Sequence, residues 1–339
     1  MSHSVLALVA NAGDGSITTF RIVDDRLRRL AVSEVAPGCS TFAVDRDRYL
    51  LYAAGKDPAV IFSCALDPAT GQLETIATRP VDANLTYLAL TLRGDQLLGV
   101  SYDGGFGCCW PVAGGQVGEP GEPVHHRNLH AVVITRDSRQ AYLVSLGEDL
   151  VARYAIGADH RLVAEATVAA PTGSGPRHLV LNAHETAAYL VTEFTGEVLY
   201  YRRDPDTGDL SLQDQTSVVD PQAGLRPGRF GADPLAERLI WGADLHLAPQ
   251  QDHLWASERT ASTLATVPLG LGGDLAPVTA ITATETQPRG FAVTPDGRHL
   301  LAVGERSTTA TLYLIQPDGS LRQTDRQPTG TKANWVRFI

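Results

Sequence analysis

The chain has 339 residues, 43% apolar and 19% charged, and its 28 basic against 38 acidic side chains give a formal charge of −10. That balance excludes a disordered chain, a collagen-like fibre and a disulfide scaffold. It also excludes general nucleic-acid binding, which needs cations to neutralise phosphates. The four cysteines (Cys39, Cys64, Cys108, Cys109) show no CxxC spacing, so neither a zinc site nor a disulfide framework is expected. Residues 1–8 carry no basic flank and no apolar stretch nears the roughly 18 residues of a membrane span. A soluble, cytoplasmic protein without membrane association is the expectation.

In chain order, one short apolar run recurs. It is Thr-Phe-Ala-Val-Asp at 41–45, Tyr-Leu-Ala-Leu-Thr at 87–91, Ala-Val-Val-Ile-Thr at 131–135 and His-Leu-Val-Leu-Asn at 178–182. It returns as Asp-Leu-His-Leu-Ala at 244–248, Gly-Phe-Ala-Val-Thr at 290–294 and Trp-Val-Arg-Phe-Ile at 335–339. With Val44, Leu90, Ile134, Leu181, Leu247, Val293 and Phe338 as register marks, the intervals are 46, 44, 47, 66, 46 and 45 residues. The single long interval holds about 20 extra residues, assigned to the Pro/Gly-rich stretch 220–239. After each marked run come a polar turn and three more short runs rich in Val, Leu, Tyr and Thr, which read as strands. Helical periodicity is absent. Four antiparallel strands repeated seven times predict an all-β, seven-bladed β-propeller forming one domain over 1–339, with a rim insertion at 220–239. The chain begins at a second-strand position and ends on an unpartnered first-strand copy. The C-terminal strand is therefore expected to join the N-terminal blade and close the ring, removing two exposed sheet edges. Seven blades close without a partner, so the oligomeric state is open.

In a propeller the start of each first strand and the end of each second strand lie on one face. The residue before each marked run is Ser40, Thr86, His130, Arg177, Ala243, Arg289 or Asn334; the positions twelve after the mark include Tyr102, Leu146, Glu193, Arg259 and Glu305. His130, Arg177, Glu193, Arg259, Arg289 and Glu305 are thus expected to converge on one rim. Three arginines there reverse the overall charge locally, and a Debye length of about 8 Å lets a local patch outweigh distant charge. Convergent charged groups over a pocket point to a binding site; the bland reading is loop ion pairs such as Arg259 with Glu305. Alternation turns His178 away from Arg177, and His246 lies inside a strand near Asp244, so both histidines favour packing and hydrogen bonding; Asp244 and His246 are kept as substrate-binding candidates. His125, His126, His160, His184, His253 and His299 fall in turns and are expected to be solvated. Adjacent Cys108 and Cys109 point to opposite faces of a strand and have no histidine in register.

At 173–178 (Gly-Ser-Gly-Pro-Arg-His), 191–193 (Val-Thr-Glu), 241–246 (Trp-Gly-Ala-Asp-Leu-His), 258–262 (Glu-Arg-Thr-Ala-Ser) and 284–291 (Thr-Glu-Thr-Gln-Pro-Arg-Gly-Phe) the sequence resembles the seven-bladed-propeller lactonases. That family includes bacterial 6-phosphogluconolactonases of propeller type and the fungal carboxy-muconate lactonizing enzyme. The resemblance is strong from about residue 128 onward and weaker, though in register, before it. It implies a metal-independent, cofactor-free hydrolase of the pentose phosphate pathway, with a His, a Glu and several Arg on the channel face, matching His130, Glu193, Arg177, Arg259 and Arg289. A rim with three arginines would repel a cation. The chain departs from the family at 101–105 (Ser-Tyr-Asp-Gly-Gly), where Asp103 would repel a substrate anion if it faced the pocket, and at the 220–239 insertion.

Hydrolysis of an anionic sugar δ-lactone needs a base, an oxyanion stabiliser and a grip on the anionic tail. His130, with an ordinary pKa of about 6.5, is favoured as base over Glu193, which nearby arginines push down. Arg177 or Arg289 would stabilise the oxyanion, and Arg259 with Glu305 would help hold substrate. The alternatives are a galactaro- or glucaro-lactonase, a non-catalytic propeller scaffold, and a muconate cycloisomerase, which rests on fold analogy alone.

Overall fold

The computed structural model describes residues 5–339. Seven sheets form the ring. Blade 1 joins Val5–Asn11, Ser16–Val23 and Arg26–Glu34 to the C-terminal strand Ala333–Phe338, which lies innermost. This is the expected closure: Ala7 pairs with Phe338 and Val9 with Val336. The inner strands of the other blades are Phe42–Asp45 (blade 2), Tyr87–Leu90 (blade 3), Leu129–Ile134 (blade 4), Pro176–Leu181 (blade 5), Gly242–Leu247 (blade 6) and Gly290–Val293 (blade 7).

The residue pattern explains the radial order. Second strands such as Ala187–Thr192 and His299–Val303 are apolar at nearly every position and buried throughout, because another blade covers each face. Outer strands such as Leu73–Pro80 are mostly exposed and polar. Seven apolar clusters form, one at every junction between successive blades, including the junction of blades 7 and 1 that seals the ring. In five blades the turn from inner to second strand has a left-handed residue four places after the register mark, and in blade 2 it comes one place later, at Tyr49. Glycine fills the fourth place at Gly94 and Gly297 (φ 70° and 71°), and Ser138, Glu185 and Gln251 adopt the same conformation.

Some local readings differ. Blade 3 lacks a continuous outer strand; two short pieces, Gln116–Val117 and Val124–His125, pair with Phe106–Ala113 instead. The stretch 220–239 holds a 3-10 turn (Pro221–Ala223) and one helical turn (Pro234–Glu237). Its Gly228 donates to the Phe194 carbonyl, and its Leu239 carbonyl accepts from Thr260, so it lies beside the loops that end the second strands of blades 5 and 6. His299 is not solvated: it opens a strand, is buried, and meets Asp25 of blade 1 at 2.8 Å. All four cysteines are buried and free. Among the described residues no helix is long and apolar enough to cross a membrane.

Candidate active site

The start of the inner strand is irregular in the same way in four blades. In blade 4 the pairing steps from Leu129 to Ala131, leaving His130 as an extra residue; in blade 5 it steps from Pro176 to His178, leaving Arg177. Blade 6 steps from Gly242 to Leu245 and blade 1 from Ala333 to Trp335, leaving Ala243 with Asp244 and Asn334. Each step is a β-bulge, which re-aims a side chain and suspends strict alternation. The bulges therefore ring one mouth of the channel.

This corrects the expectation for His178. Because Arg177 is the bulged residue, His178 does not turn away from it: His178 Nε2 lies 3.3 Å from Arg177 Nη1, and its ring centroid is 5.1 Å from that of His130. Its Nδ1 meets Asp244 Oδ1 at 2.7 Å, and the other Asp244 oxygen faces His246 Nε2 at 3.3 Å. His246 also packs on Phe291, with ring centroids 4.8 Å apart.

Glu193 is the hub of the arginines. One oxygen accepts from Arg177 Nε and from Arg259 Nη2, both at 2.8 Å, while the other faces Trp241 Nε1 at 3.3 Å. Arg259 lies 3.8 Å over the Trp241 ring and donates to the Trp241 and Gly242 carbonyls. A Cβ at Gly242 would collide with the Thr192 carbonyl, so glycine is what allows blades 5 and 6 to close around this hub. Arg289 pairs with Glu305 at 3.0 Å, and Gln287 donates to the same carboxylate at 2.6 Å. Arg259 thus pairs with Glu193, not with Glu305. Three arginines meet two glutamates, leaving a positive excess.

Burial grades the cluster from floor to rim. Arg177 and Arg259 have side chains only 1% and 4% exposed, whereas Arg289 is 26% exposed. His130 is buried, and its Nδ1 has no protein hydrogen-bond partner; the same holds for Asn334 Oδ1 at the equivalent bulge. Two buried polar atoms without a protein partner thus fall at equivalent bulges beside the arginine cluster. Burial, then Arg177 and His178, hold the His130 imidazole well below its ordinary pKa, so it is neutral near pH 7. Burial and then Arg177 lower His178 to about 4 despite Asp244. Burial alone would raise Glu193, but Arg259 and Arg177 overcome it and keep the carboxylate below its usual range.

Two further side chains face this cluster. Lys56 lies twelve residues after Val44, at the address of Glu193, Arg259 and Glu305; burial and Arg289 lower its ammonium below the ordinary value. Extending the register count to blade 2 would have found it. Tyr102, at the same address in blade 3, sits 5.9 Å from His130 between ring centroids, and burial pushes its phenol up to about 12. Asp103 is exposed beside it. A cavity of about 680 Å³ opens at the opposite mouth, but the convergent titratable groups are here.

The description "Lactonase, 7-bladed beta-propeller" belongs to a family whose sequence profile matches residues 5–338. The chain is a member of that family. This family member is 27% identical over 331 residues to a 6-phosphogluconolactonase of Klebsiella pneumoniae, covering 95% of this chain and 92% of the relative. It is 27% identical over 330 residues to that of Erwinia tasmaniensis, with the same coverages. A periplasmic gluconolactonase of Pseudomonas aeruginosa superposes with a TM-score of 0.87 at 22% identity, covering 99% of each chain, which shows the shared fold.

Proposed function

We propose that this propeller lactonase hydrolyses an anionic sugar δ-lactone, 6-phosphogluconolactone being the best fit. The observation that carries this reading is a neutral, partnerless imidazole (His130) facing buried arginines on one floor, with the more exposed Arg289 and Lys56 on the rim above. His130 takes a proton from water attacking the ester carbonyl, then returns it to the departing ring oxygen. Arg177 stabilises the tetrahedral oxyanion, an effect worth about 3 kcal/mol per donor. Glu193 holds Arg177 and Arg259 in place; clamped by both, it is a poor base. Asp244 has both oxygens occupied by histidines, so Asp244 and His246 orient His178 and do not touch substrate. Arg259, saturated by Glu193, two carbonyls and an indole face, supports the floor, while Arg289, positioned by Glu305, and Lys56 meet the anionic tail. No step is assigned to a metal. The 27% identity to 6-phosphogluconolactonases supports the phosphate at the tail.

Burial first, and then the arginines, depress His130, and an anionic substrate that neutralises the arginines relieves their share of the depression. Because the base works deprotonated, activity falls as pH drops through the His130 pKa. The acid limb of kcat/KM, which reports the free enzyme, is expected below pH 6.5, and that of kcat, which reports the complex, at higher pH. Coincident limbs for both parameters at or above 6.5 would remove His130 as the base.

The substrate is tested at Lys56. The Lys56→Gln variant is expected to raise KM for 6-phosphogluconolactone about 10- to 100-fold, the value of a charge-assisted hydrogen bond, with little change for unphosphorylated gluconolactone. A galactaro-lactone assayed in parallel separates a phosphate tail from a carboxylate tail. Equal effects on charged and uncharged lactones would overturn the phosphate assignment.

A further inference from the structure

The register marks themselves line a second chamber at the channel mouth opposite the bulges. Val44, Leu90, Ile134, Leu181 and Leu247 are all half-buried there, around the cavity of about 680 Å³, joined by Phe338. An aromatic layer separates this funnel from the catalytic floor: Tyr87 packs edge-on against His178 at 5.3 Å and against Trp335 at 4.9 Å. On the funnel side of that layer, Arg337 lies 4.1 Å over the Trp335 ring and donates to the Tyr87 hydroxyl at 3.3 Å. Arg46 comes from the neighbouring blade and donates from Nε to the Phe338 carbonyl at 3.0 Å.

Among the described residues neither arginine forms an ion pair with a carboxylate within 4.0 Å, and burial first, then Arg337, lower the Arg46 pKa from its ordinary value. The rim carboxylates are engaged elsewhere: Asp45 is held by Arg48 at 2.7 Å, and Glu185 accepts the Arg136 backbone N–H at 2.6 Å. Asp47 is exposed at the edge. Arg46, bonded to the carbonyl of the residue after Arg337, and Arg337 thus stand on one wall of a funnel whose deeper lining is apolar, and an anion that brings its own apolar body complements both features.

We infer that the lower funnel is a second ligand site, separate from the lactone chamber, which binds a small organic anion: an apolar body seated against Leu90, Ile134 and Leu181, with a phosphate or carboxylate between Arg46 and Arg337.

Calorimetric titration of the whole protein with phenyl phosphate, and separately with benzoate, tests this. Phenyl phosphate is expected to bind two sites per chain. Arg46→Gln weakens one of them at least tenfold and leaves lactone hydrolysis intact, whereas Arg289→Gln weakens the other. Arg337→Gln reproduces the Arg46→Gln result if it folds, and Arg46, at the exposed rim, carries the test if it does not. Inorganic phosphate, lacking an apolar body, is expected to bind the lower site at least tenfold more weakly than phenyl phosphate. Binding of either aromatic anion at the site sensitive to Arg46→Gln supports the proposal. Failure of both there, a single site lost only in Arg289→Gln, or equal affinity for inorganic and phenyl phosphate overturns it.

Discussion

Replacing His130 with alanine is expected to lower kcat for lactone hydrolysis about 10²- to 10⁴-fold, the usual contribution of a positioned general base, while KM changes little. The split follows from the geometry. The imidazole is buried beneath the arginines that hold the anion, and its Nδ1 bonds to no protein group, so its removal takes away the proton acceptor and leaves the anion grip in place. His130→Gln keeps much of the volume without the basicity and should behave like the alanine variant. Rates are to be measured on freshly made lactone with spontaneous hydrolysis subtracted. Turnover at the wild-type rate in both variants would end the proposed role.

Replacing Glu193 with alanine is expected to destabilise the fold by about 3–5 kcal/mol, because it strands two buried guanidiniums that now share one carboxylate oxygen. Chemical denaturation should show a lower midpoint with an unchanged slope. Because the folded state depresses the Glu193 pKa, its stabilisation is present above the ordinary glutamate range and is lost as pH falls through the depressed value. The alanine variant should therefore lose part of the acid limb of stability along with the midpoint. A neutral double variant, Glu193→Leu with Arg259→Met, should cost less than the sum of the two single changes, since the groups act as one network. A loss below about 1 kcal/mol in Glu193→Ala would mean that solvent, and not the carboxylate, compensates the arginines.

The ring was legible in the sequence because its signal is long-range and repetitive: seven apolar runs in phase leave few alternatives to a closed array. The same phase identified His130, Arg177, Glu193, Arg259, Arg289 and Glu305 as neighbours, and these side chains do meet at one mouth. His178 was misread for a physical reason. Strict alternation holds only in an unbroken ladder, and the extra residue at 177 breaks it just where the site begins. No property of Arg177 or His178 taken singly announces a bulge; the signal is that a polar or ionisable residue recurs at the start of the inner strand in several repeats, as at His130, Arg177, Asp244 and Asn334. Lys56 was in plain sight of the register but lies in a blade well ahead of the strongest motifs. Pairing partners were the least legible, since whether Arg259 reaches Glu193 or Glu305 depends on rotamers and on the indole of Trp241 beneath it.

The seam in blade 1 has a consequence for biosynthesis. Val5–Asn11 leaves the ribosome long before the strand that covers its inner edge, Ala333–Phe338. At elongation rates of about 5–20 residues per second, that edge waits on the order of tens of seconds for its mate. During that interval the nascent chain exposes a nearly all-apolar strand to any other chain able to pair with it. Chaperone dependence and co-translational aggregation should therefore track the length of that delay more than the stability of the finished ring.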